Sequence, residues 1–210
     1  VGPTAKVRSE AAADSLGSRL AHTASALGLQ LAIHRSDGTQ PVGRGIGPAL
    51  EAHDVLKVLR NATDAPADLR ERALALSAAL LDMAPGSSAG TGLERARSVL
   101  DSGRALAKFL AICEAQGGFR EPPRAPFTAD VPASASGRIT EIDNRRLAKL
   151  AKLAGAPTSP TAGLETSLRV GDAVERGQPL LTLHAESPGE LAYALEHAAT
   201  LQPFVLGEVP

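Results

Sequence analysis

Aromatic side chains make up only 2% of the 210 residues, with no Trp, one Tyr and four Phe. Stacking platforms for bases or sugars are nearly absent, and Ala and Leu must fill the core. A single cysteine, Cys113, excludes an internal disulfide framework and any cysteine-based zinc site, and it fits a reducing, cytoplasmic setting. No apolar run reaches the roughly 18 residues of a membrane span. The first twenty residues carry Lys6, Arg8, Glu10, Asp14 and Arg19 among alanines, unlike a signal peptide. Charge of one sign is lacking too: 22 basic against 23 acidic side chains give a net charge of -1, which argues against nucleic acid or an acidic membrane as partner. What remains, 43% apolar and 21% charged residues, describes a globular chain long enough for one large domain or two small ones. It begins at Val1 without a methionine, which fits processing, cleavage or an artificial boundary alike.

Periodicity predicts a helix over 8–27, capped by Ser9 and closed by Gly28. Leu29, Leu31 and Ile33 then alternate with Gln30, Ala32 and His34, the period of a strand. A glycine loop over 36–47 follows, and Pro48 opens the next helix. Further helices are predicted over 66–83 and 92–116, separated by a loop containing Pro85-Gly86-Ser87-Ser88 and Gly90. A proline-bearing linker at 117–133 divides this helical half, 1–116, from a mixed half at 134–210. There, strands at 137–142, 164–170 and 179–184 and helices at 144–154 and 190–200 form an α+β module, with tight reversal at Gly171 and Gly177 pointing to a barrel-like sandwich.

A lone strand at 29–34 leaves both backbone edges unpaired, which is costly under helices. Either this half is all helical, or the rest of its sheet belongs to sequence the chain lacks; the second is expected. The fold expected is therefore α/β plus α+β.

The loop Gly43-Arg44-Gly45-Ile46-Gly47 at a strand-to-helix junction is a candidate phosphate cradle, although it fits neither the P-loop nor the dinucleotide fingerprint. Turn geometry alone explains such glycines equally well. Lys6, in a small-residue loop before a helix, is a candidate for contact with an anion. His22, His34, His53, His184 and His197 show no metal-ligand spacing, and no nucleophile elbow marks a catalytic serine. No catalytic residue, metal or cofactor is assigned. Residues 170–181 resemble the turn of biotinyl and lipoyl carriers, but His184-Ala185-Glu186-Ser187 supplies no acceptor lysine.

Three ordered segments carry a broader resemblance: Val1 to Val7, Asp37 to Glu51 and Gly137 to Asn144, followed by the Val170 to Leu181 turn. Together they resemble the thymidine (pyrimidine-nucleoside) phosphorylase family, in its branch with the AMP phosphorylases. The resemblance implies a longer enzyme with a helical domain, a central α/β domain and a C-terminal α+β domain, assembled as an oligomer, of which this chain is the C-terminal part. It implies phosphorolysis of a nucleoside or nucleoside monophosphate, with inorganic phosphate as co-substrate. The family's phosphate-binding segment and catalytic acid precede the counterpart of Val1, so the isolated chain is expected to be inactive. Lys6 matches a substrate-contacting position that is Lys in the AMP branch. Some pyrimidine-specific relatives place a monovalent cation against groups matching the Val42 and Gly45 carbonyls and the Asp54 carboxylate. A non-catalytic assembly module that keeps the fold is the alternative.

Overall fold

The computed structural model describes residues 1–84 and 90–207. The Pro85 to Ser88 loop lies outside the described residues. The chain divides into two compact units, one made of 1–36 and 55–121, the other of 37–54 and 122–210. No helix among the described residues is long and apolar enough to cross a membrane.

In the first unit, Ser9 caps α1 (Glu10–Ala26), its side chain accepting from the Ala12 amide. Residues 29–38 then run without regular secondary structure. The strand predicted at Leu29 to His34 is therefore not formed: it makes no ladder with any described residue, and a strand without a partner is not a stable element. The segment instead lies along α1. The Ile33 side chain approaches Gly17, and Arg35 bridges Glu10 at 3.1 Å and Asp14 at 2.5 Å. Asp14 first, then Glu10, hold the Arg35 guanidinium above its ordinary value. Leu29, Leu31 and Ile33 stay 62%, 44% and 50% exposed, beside Leu16 and Leu20 of α1 at 45% and 47%.

The rest of this unit is helical. Helix α2 (Pro48–Leu59) ends where Asn61, at φ 51°, turns the chain and donates its side-chain amide to the Leu100 carbonyl. α3 (Ala67–Met83) packs on α4 (Gly92–Asp101) at a point where Gly92 has no room for a β-carbon, and its amide donates to Asp82. The predicted 92–116 helix is broken: Gly103, at φ 76°, separates α4 from α5 (Arg104–Ala115). Val58, Leu74, Ala96 and Leu100 form the small core.

The second unit holds two antiparallel sheets. One orders its strands β1 (Gly45–Ile46), β4 (Gly163–Glu165), β6 (Pro179–Ala185) and β2 (Phe127–Pro132). The other orders β5 (Ala173–Val174), β3 (Gly137–Ile142) and β7 (Phe204–Gly207). Helices α6 (Asn144–Leu153) and α7 (Pro188–Leu201) supply Leu147, Leu150 and Ala194 to a core shared with Ile139, Leu164 and Leu183. Burying each large side chain is worth about 1.5–3 kcal/mol. Asp143 and Ser187 cap the two helices through their side-chain oxygens. The barrel-like closure expected from the Gly171 to Gly177 reversal is corrected to two open sheets, and β2 lies inside the stretch read as a linker.

β1 joins the sheet only because two glycines meet. Gly47 and Gly163 have φ values of 142° and 150°, and a β-carbon on either would strike the other strand's backbone. Gly163→Ala is expected to lower unfolding free energy by about 2–4 kcal/mol, since both strain and clash fall on backbone. Gly189→Ala, where nothing lies within 4 Å, should be neutral or slightly stabilising; urea denaturation of the two variants measures the contrast.

Candidate functional site

The glycine loop was the sequence's candidate anion cradle, and its amides decide what it does. Glu51 and Asp54 stand one turn apart on α2 and share a face. Asp54 Oδ2 accepts the amides of Arg44 at 2.6 Å and Gly45 at 2.9 Å, while Glu51 Oε1 accepts that of Gly47 at 3.1 Å. Asp54 is 4% exposed. A phosphate would have to displace carboxylates from these three donors, so the loop is fastened from beneath rather than poised for an anion.

The loop's other groups are tied to the C-terminal elements. Arg169 donates to the Gly43 carbonyl at 2.7 Å, the Thr166 amide to the Arg44 carbonyl at 3.0 Å, and Asn144 to the Gly38 carbonyl at 2.9 Å. Gln40 accepts from the Val170 amide at 2.9 Å, and the Ala49 amide donates to the Pro160 carbonyl at 3.0 Å. Residues 37–54 are in effect a strap belonging to the second unit. Sequence reasoning missed Glu51, Asn144, Thr166 and Arg169 in this role. Glu51 alone had a local signal, an acidic residue in the first turn of α2, where a carboxylate can reach the free amides of the helix start.

The cation expected against the Val42 and Gly45 carbonyls and the Asp54 carboxylate fits this donor set poorly. Asp54 Oδ2 already takes the Arg44 and Gly45 amides. No step is routed through such an ion.

Lys6 lies in a turn closed by the Gly2 amide on the Val7 carbonyl and the Ala5 amide on the Gly2 carbonyl, both at 3.0 Å. Its side chain is exposed, ahead of the N-terminus of α1. The histidines stay scattered. His184 is buried in β6 with Nε2 3.0 Å from Glu165 Oε2, within ion-pair range but off the hydrogen-bond direction. His53 Nε2 is sealed from solvent without a hydrogen-bond partner among the described residues. Cys113 is a half-buried free thiol in α5.

Part of the two-sheet unit matches a known domain: residues 138–203 match the family described as "Pyrimidine nucleoside phosphorylase C-terminal domain". Residues 138–203 are thus similar to this C-terminal domain of the pyrimidine nucleoside phosphorylases. Relatives extend the similarity to the first unit. "Putative thymidine phosphorylase 2" of Acidovorax sp. (strain JS42) is 59% identical over 203 residues, 97% of this chain. The "Putative thymidine phosphorylase" of Polaromonas sp. is 58% identical over 95% of the chain, and that of Sphingopyxis alaskensis 54% over 98%. The chain spans about 40% of the length of these curated relatives.

Asp54→Ala would leave the Arg44 and Gly45 amides without their acceptor. A loss of about 2–4 kcal/mol is expected. Hydrogen exchange should accelerate at those two amides first, with Asp54→Asn, which keeps one carbonyl oxygen, losing less.

Proposed function

We propose that this chain is the C-terminal part of a phosphorolytic pentosyltransferase. The supporting observation is the match of 97% of the chain to a relative only 40% covered by it, together with the uncovered apolar segment 29–33. The parent transfers a pentosyl group from a base to inorganic phosphate. A phosphate oxygen bonds to the anomeric carbon, and the glycosidic C–N bond breaks. Its electron pair leaves with the base, which takes a proton, giving free base and a sugar 1-phosphate. Such chemistry needs donors that hold phosphate and a group that hydrogen-bonds or protonates the departing base.

The described residues do not offer those donors together, because the one glycine loop with a suitable position spends its amides on Asp54 and Glu51. The isolated chain is therefore inactive, and the phosphate-holding segment and catalytic acid belong to the upstream part of the polypeptide. Lys6 contributes to substrate recognition. Its exposed ammonium, on a turn fixed by two backbone hydrogen bonds, suits the phosphate of a nucleoside monophosphate such as AMP. The parent works as a cytoplasmic homo-oligomer and uses phosphate without a further cofactor.

Phosphorolysis by the pure 210-residue chain should be undetectable with AMP, CMP, thymidine and uridine. Turnover of any of them overturns the inactivity. In the parent, Lys6→Ala is expected to raise the activation free energy read from kcat/KM for the nucleotide by about 1.5–3 kcal/mol and to spare the bare nucleoside. An equal effect on both removes Lys6 from phosphate recognition.

A further inference from the structure

Helix α3 is apolar on more than one side, the pattern of a helix packed on two faces. Leu74 faces the small core, whereas Leu80, on the same helix, is 70% exposed. Between α2, α3 and α4 an apolar groove of about 450 Å³ opens, walled by Val55, Leu59, Leu69, Leu80, Leu81 and Val99. Val55 and Val99 are 41% and 36% exposed. Exposed apolar surface gathered in one groove marks a place that another element covers.

Three basic side chains next to the groove in sequence, Lys57, Arg60 and Arg70, are paired with Asp64, Glu121 and Asp101. A separate molecule finds little there to steer it or fix its register. A segment of the same polypeptide needs no steering, because tethering keeps its effective concentration high. The relative of Acidovorax has about 300 residues outside its match to this chain, ample to supply that segment. A groove lined by apolar side chains of three helices suits the apolar stripe of one further amphipathic helix.

We propose that an amphipathic helix from the upstream part of the parent polypeptide docks in this groove, as a fourth helix against α2, α3 and α4. The inference rests on the chain being the C-terminal part of a longer enzyme, and adds where that enzyme closes over its own helical unit.

Leu80→Cys, introduced with Cys113→Ser, gives a thiol whose maleimide labelling can be followed by peptide mass spectrometry in the parent and in the 210-residue chain. Labelling in the parent should be slowed about tenfold or more relative to the short chain, equally at submicromolar and high micromolar protein. Slowing that grows with concentration would identify a second copy as occupant and overturn the proposal, as would labelling equally fast in both proteins. Val99→Cys, on the opposite wall, repeats the measurement should Leu80→Cys not fold. Phosphorolysis by the parent is assayed alongside: an active parent with an open groove sinks only this inference, and an inactive parent sinks the functional reading.

Discussion

Where Gly47 and Gly163 pass each other, two backbones come closer than any side chain permits, and the arrangement of the second unit depends on that approach. It seats a two-residue strand, Gly45–Ile46, beside β4 in register with Glu165 and Leu164. Once β1 is seated, the preceding loop is drawn against Asn144, Arg169 and Val170, and the following helix offers Glu51 and Asp54 to the loop's amides. Each hydrogen bond nets about 0.5–1.5 kcal/mol, those to carboxylates more. Their sum makes residues 37–54 a fixed part of a unit otherwise built from residues beyond 121.

The other unit is organised differently. Its core of Val58, Leu74, Ala96 and Leu100 is small, and α1 with the segment after it presents leucines and an isoleucine that nothing described covers. A helix and one unpaired chain segment cannot bury their apolar faces on each other alone. The ion pairs of Arg35 hold the segment to α1, but as exposed pairs they contribute little to stability.

Elements with strong local signals were legible in the sequence. Ser9, Asp143 and the Pro48 start marked helix beginnings, and strands 137–142 and 179–184 matched β3 and β6 to within a residue. Alternation at 29–34 carries the period of a strand, but a strand is a pairing, and no described residue pairs with this segment. The break at Gly103 was missed because one glycine inside a helical period costs only about 1 kcal/mol, too little to predict an interruption. The loop's chemistry was misjudged for a deeper reason. A glycine-rich turn before a helix advertises free amides, and only the three-dimensional return of Asp54 and Glu51 shows them taken. The fastening by Thr166 and Arg169 joins residues more than 120 apart in sequence, beyond any local pattern.

The order β1-β4-β6-β2 places the two earliest strands of that sheet at its two rims. A gene trimmed to the matched family segment at 138 would keep β4 and β6 but strip both flanks, baring two rows of backbone donors and acceptors to any passing chain. To keep both rims of that sheet covered, the tail therefore needs the short stretch around residue 45, even though a helical excursion of some seventy residues intervenes.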